Sequence, residues 1–493
     1  MKTQKTNKRV LTFAGSELLH RTSILAGAML CGLFPVASAR AANMTWDGGK
    51  DTSWTTKQNW TPQAVPSAND SLIFAGTTRT SNTNNFAAGT SFSGISFSST
   101  AGAFVLAGNA LSLGGDIVNN STNAQTISLA MALTGTRAFN AASGNLAVSG
   151  LISGASFGLT KTGSQTLTLS GANTYGGGTG VSAGTLALAG SGTLGTGSLT
   201  VSGGTVNLGG KSLTNTLGAL TGGGALSNGS LTNNGGSYDL RSGMVGVVLA
   251  GSNALSKTTS GSVTLDAANT YTGLTTISAG TLVLGTNGSI AGSLGVNLGT
   301  SGSPGTLDVS SKASFAFGAA QTVSGSGTIN IGEGKTVTVA FTPGNSAGEI
   351  QVIGNLALAG ATTMELAGNG GVAGADFDHT VVTGALNYDG SLAVVSLGGF
   401  DLFTAGTYDL FDFASGFTGN FASVSFGGDA LSYNTGLWSG SNNDFEYSFA
   451  LETGNLSVVA VPEPSTWVLL AISLTIAVTF RRRAGSCWMR IRP

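Results

Sequence analysis

Residues 159–188, LTKTGSQTLTLSGANTYGGGTGVSAGTLAL, return without a gap 96 positions later as residues 255–284, LSKTTSGSVTLDAANTYTGLTTISAGTLVL. Lys161 falls on Lys257, Asn173-Thr174-Tyr175 on Asn269-Thr270-Tyr271, and Ser182-Ala183-Gly184-Thr185-Leu186 on Ser278-Ala279-Gly280-Thr281-Leu282. A match of that length marks a chain built from internal repeats, each of which must bury its apolar face against a neighbour. Within the unit, Leu167/Leu169, Val181 and Leu186/Leu188 alternate with small polar residues at period two, and Gly-rich corners separate the runs. Each unit therefore reads as three short strands and their turns.

A shorter echo, Gly-Thr-[Leu/Val/Ile]-x-[Leu/Val/Ile], begins at Gly184, Gly204, Gly280, Gly305 and Gly327, with about one solenoid coil between near neighbours. The fold expected is all-β: a right-handed parallel β-helix, or β-solenoid, with a compact C-terminal β region. Leu167 and Leu169 should face the core and Thr168 the solvent. Segments ISFSS, FVLAG, LSLGG, ISLAMALTG and LAVSG continue the pattern ahead of the first full unit. The organisation expected is a signal peptide (1–42), a Trp-rich cap (43–76), solenoid repeats (77–340), a C-terminal β region (341–460) and a sorting segment (461–493).

Both units resemble the autotransporter-associated β-strand repeat, also called the passenger-associated transport repeat, with a pattern close to LTKTGxGTLTLSGxNTYSGGTTVxxGTLxL. The second copy departs from it at Thr259, Asp266 and Leu274. The resemblance implies a β-solenoid in an exported protein.

Composition bears on what such a solenoid could bind. Only 9% of the 493 residues are charged, while 41% are hydrophobic in ordered alternation, which separates the chain from disordered Gly/Ser-rich sequence. Eleven acidic residues and no lysine or arginine lie between Glu365 and Glu452, which argues against a nucleic-acid partner and against docking on anionic lipid. Both cysteines, Cys31 and Cys487, sit in the terminal segments, so the body has no disulfide and no thiolate site.

The termini read as addresses. Lys2, Lys5, Lys8 and Arg9 precede an apolar run from Ile24 to Val36 and small residues at Ala37-Ser38-Ala39 and Ala41-Ala42, the layout of a secretory signal cleaved after Ala39 or Ala42. Trp46, Trp54 and Trp60 follow, and are expected either to cap the open solenoid end or to form a glycan-stacking platform. Pro343-Gly344-Asn345-Ser346 resembles a segment that often follows such repeats in autotransporter passengers, and Asp389-Gly390 predicts a hairpin at which coils give way to antiparallel strands. At the far end Pro462-Glu463-Pro464, an apolar stretch from Trp467 to Phe480, and Arg481-Arg482-Arg483 resemble a PEP-CTERM sorting signal. That likeness implies an exosortase-like partner and transient inner-membrane anchoring, with the arginines cytoplasmic. A permanent tail anchor is the competing reading.

Few residues suit catalysis. His379, beside Asp376 and Asp378, is the one histidine of the body, and alternation along a strand would turn Asp378 and His379 to opposite faces. Between Leu159 and Leu284 the only acids are Asp239 and Asp266, too few for a paired-carboxylate site. No catalytic residue, cofactor or metal site is expected, calcium included. The expected function is an exported, non-enzymatic surface or extracellular-matrix protein, adhesion being one use. A polysaccharide-binding module on the tryptophans or the C-terminal aromatics is the alternative, ahead of an autotransporter passenger or a secreted glycan-active enzyme. Other surface proteins are further candidate partners.

Overall fold

A strand that alternates inward and outward side chains buries its apolar face only against other strands, and here it does so coil by coil. The computed structural model describes residues 41–341, 347–461 and 472–476. Among them a parallel β-solenoid accounts for most of the chain. One ladder of parallel strands runs from Asn43–Trp46 through Leu159–Thr162, Thr179–Val181 and Leu199–Val201 to Leu217–Leu220. A parallel bridge from Leu220 to Leu240 leads to its continuation, from Tyr238–Asp239 to Phe417–Gly419. The second long ladder starts at Ser81–Asn84, includes Thr166–Leu169, Thr185–Leu188 and Ser262–Leu265, and ends at Phe411–Phe413. The Gly-Thr echo lies on it in register, Thr185 opposite Thr205 and Gly280 opposite Gly305 opposite Gly327.

Each repeat unit supplies four strands, not three. In the first copy they are Leu159–Thr162, Thr166–Leu169, Thr179–Val181 and Thr185–Leu188; in the second, Leu255–Lys257, Ser262–Leu265, Thr275–Ile277 and Gly280–Leu284. The strand missed in each copy carries a lysine at an inward position, which hides the apolar alternation. Leu167 and Leu169 are fully buried, and Thr168 lies on the partly exposed side, paired between Ala147 and Ala187.

Coil length changes along the chain. Leu167 stands opposite Leu186, whereas Val352 stands opposite Val382, a much longer step along the chain for the same rise. A third parallel ladder occurs in the early coils, from Thr90–Phe92 to Ile152–Ser153, and again in the longer coils, as Ala361–Leu366, Ser391–Ser396 and Ser423–Phe426. Asp389-Gly390 is consequently a corner between two ladders and not a hairpin: Leu386–Tyr388 pairs in parallel with Asn355–Leu358, and Ser391–Ser396 with Ala361–Leu366. The turn chemistry holds, since Gly390 has φ +70°, but the strands it joins find partners one coil away. Antiparallel pairing takes over later, in a five-stranded sheet ordered Gly406–Asp409, Asn455–Ala460, Phe445–Ala450, Leu437–Ser441, Ser432–Asn434. Its inner face buries Tyr408, Trp438, Phe449 and Leu456, and the Gly454 carbonyl accepts from the amides of Leu410 and Phe411 at the end of the second ladder.

The first coil is closed by aromatics. Trp60–Thr61 pairs antiparallel with Asn43–Trp46, and Trp46, Trp54 and Trp60 are all fully buried. The Trp46 and Trp60 rings meet edge to face at 5.2 Å, and Trp54 packs on Phe74 at 5.5 Å. The Trp54 indole donates to Asn82 Oδ1 at 2.8 Å and that of Trp60 to the Trp54 carbonyl at 2.8 Å. These buried rings offer no stacking surface.

Two substitution experiments check this packing. Leu169→Lys should destabilise by about 3 kcal/mol or more while Thr168→Lys stays nearly silent in thermal melts; equal shifts would refute the register. Trp60→Ala should cost on the order of 3 to 5 kcal/mol in urea unfolding, because it uncovers the first coil.

Candidate functional site

Four positions of the repeat unit turn polar or strained groups toward the interior, and both copies use them alike. Lys161 lies in the core between Phe139 and Val181 of the neighbouring coils. It is fully buried, and its Nζ donates to the carbonyls of Thr162 (2.7 Å), Gly163 (2.7 Å) and Ala183 (3.1 Å). Lys257, also fully buried, donates to the carbonyls of Thr259 and of Ala279, the latter at 2.9 Å. Among the described residues, only carbonyl groups hold each ammonium. Loss of hydration lowers both pKa values, that of Lys161 to about 8.

The asparagines bridge three coils. Asn173 Oδ1 accepts from the Ile152 amide (2.9 Å) one coil earlier, and its Nδ2 donates to the Thr193 carbonyl (2.8 Å) one coil later. Asn269 does the same with Leu249 (2.9 Å) and Ser289 (3.0 Å). The rings of Tyr175 and Tyr271 fill the core beside them, each hydroxyl 2.7 Å from a buried threonine, Thr179 or Thr275. At the last corner Gly184 and Gly280 take φ of +60° and +67°, and a Cβ there would lie 2.4 Å from the carbonyl oxygen of Gly163 or Gly261. The repeated Lys, Asn and Tyr side chains thus stitch coil to coil through the backbone.

Another concentration of titratable groups lies near the C-terminal coils. His379 Nδ1 is 3.3 Å from Glu349 Oε2, while its Nε2 is buried without a partner. Asp378 turns the other way, as alternation predicts. It is fully buried, with Oδ1 accepting from the Gly348 amide (2.8 Å) and Oδ2 from the Glu365 amide (2.6 Å). It fastens the ends of the 367–377 loop to the neighbouring coil. Burial raises its pKa to about 7 against the pull of the two amides, and the nearby Glu365 carboxylate adds to the rise. Among the described residues no three His, Cys, Asp or Glu side chains are grouped to hold a metal ion.

Residues 159–188 and 255–284 both match the family model of the passenger-associated transport repeat. The chain carries two passenger-associated transport repeats. No curated protein and no solved structure matches the chain. A passenger-associated transport repeat on a parallel β-solenoid fits an autotransporter-like passenger, and the family suggests an exported surface protein.

The sorting-signal residues Pro462, Glu463, Pro464, Arg481, Arg482 and Arg483 lie outside the described residues, as do the signal peptide and Pro343-Gly344-Asn345-Ser346. Residues 472–476 are helical, and among the described residues no helix is long and apolar enough to cross a membrane. Sequence reasoning passed over Asn173, Tyr175 and Asp378 as structural elements. Recurrence of Asn-Thr-Tyr at the same place in both repeats was the available signal for the first two; Asp378 left none.

Two expectations follow for the passenger-associated transport repeats and the coils beyond them. Lys161→Met should destabilise by about 1 to 3 kcal/mol in urea titrations, because the three carbonyls lose their donor. Asp378 keeps its proton in the folded chain up to about pH 7, whereas an unfolded aspartate loses it near 3.8, so unfolding releases a proton between these values. Its contribution is fully present below about pH 4 and fades as pH rises toward 7, and Asp378→Asn should flatten that decline in stability.

Proposed function

We propose that this protein is an exported, non-enzymatic β-solenoid of the cell surface or extracellular matrix, used in adhesion or as a structural surface component. The observation that carries the reading is the pair of passenger-associated transport repeats, whose distinctive polar groups are all consumed in stacking coils. Such a chain builds extent and surface. In this reading Pro462-Glu463-Pro464 is recognised by an exosortase-like processing partner, and Arg481-Arg482-Arg483 keeps the tail on the cytoplasmic side until it is removed. Binding of extracellular polysaccharide is a second role, favoured by the outer face of the C-terminal antiparallel sheet described below.

Cell fractionation with intact-mass measurement tests the first reading. The expected product is surface-exposed, begins after Ala39 or Ala42 and lacks the three arginines, and it releases no product from glycans. Retention in the cytoplasm would overturn export. A tryptic peptide spanning Arg481 in the surface-exposed protein would replace the sorting signal with a permanent anchor.

A further inference from the structure

The antiparallel sheet that closes the C-terminal coils carries a row of hydroxyls on its outer face, as the solenoid does at Ser262, Thr281, Thr306 and Thr328. Ser432 stands opposite Ser439, Ser439 opposite Ser448, Ser448 opposite Ser457, and Ser457 opposite Thr407. One hydroxyl from every strand therefore lies in a single row across the sheet, and at the usual strand spacing the row is roughly 19 Å long. None of these five hydroxyls hydrogen-bonds to another described residue. Some outward serines on the coils do bond to the backbone, as Ser182 does to the Lys161 carbonyl at 3.2 Å and Ser202 to that of Val181 at 3.4 Å. In the next row of the same face Asn455 Oδ1 is shielded from water and also lacks a partner.

A groove of about 620 Å³ lies over this face, lined by Ser432, Ser439 and Ser448 and flanked by exposed Leu437 and Val459. Its charged group is the Glu446 carboxylate, and no lysine or arginine occurs from residue 336 to residue 461. Anionic polymers are disfavoured by that charge. A neutral polyhydroxyl chain matches the rest, since hydroxyls both donate and accept and the apolar flanks suit the C–H faces of sugar rings.

We infer that this face binds a neutral polysaccharide, laid along the hydroxyl row across the five strands. The inference rests on the second, polysaccharide-binding reading and is independent of export, so surface localisation stands or falls separately.

The test is affinity electrophoresis of the purified full chain in native gels containing hydroxyethylcellulose or galactomannan, with alginate as the anionic comparison. The expected result is retardation by at least one neutral polymer and none by alginate. Ser439→Ala/Ser448→Ala/Ser457→Ala should weaken it by about tenfold or more, each lost hydrogen bond shifting affinity several-fold, with the melting temperature unchanged. Thr168→Ala, on a distant coil, should leave it intact. The inference is overturned by no retardation in either neutral gel, by retardation in alginate alone, or by retardation that the triple variant retains. It is equally overturned if sedimentation shows the face mediating self-association that the triple variant abolishes.

Discussion

Everything in this structure depends on one constraint: residues about one coil apart must sit directly above one another so that each backbone amide finds a carbonyl in the next coil. In parallel ladders the side chains then stack in columns, and a column stays dry only if each member is apolar or brings its own partners. Leu146, Leu167, Leu186 and Val206 satisfy the first condition in consecutive coils. Lys161 and Lys257 satisfy the second, because a flexible stem carries the ammonium to the carbonyls of the adjacent corner and of the corner one coil later.

The same constraint explains what was legible in the sequence. Period-two alternation and the recurring step between Gly-Thr pairs gave the solenoid, because the spacing of Thr185, Thr205 and the later pairs is the ladder register itself. The lysine-bearing strand was hidden because an inward charge looks outward to any pattern based on polarity. The hairpin expected at Asp389-Gly390 failed for a related reason: local turn chemistry specifies a bend but not whether the next strand pairs with its predecessor or with a strand one full coil away. The tryptophans could be read as cap or platform, and only their burial separates the two.

Candidate sites were less legible than the fold. The stitching residues were visible as identities between the two copies, but their work lies in contacts to Ile152, Thr193 and Ala183, which the repeat pattern does not name. The hydroxyl row was invisible because its members come from five separate strands and align only through antiparallel register. Likewise, Asp378 reads in the sequence as one acid among eleven, and its burial depends on the loop that it closes.

The two ends of the stack have a consequence for the life of the molecule outside a cell. Trp60–Thr61 runs antiparallel along the first strand, and the Gly454 carbonyl accepts from the amides of Leu410 and Phe411, so one edge strand at each end is partly covered. A protease cut that removed either closure would bare a ready parallel template with its hydrogen-bonding groups unmatched. Trimming would then convert a self-limited stack into a seed for fibrous assembly, and the integrity of a few terminal residues would decide whether the protein stays dispersed.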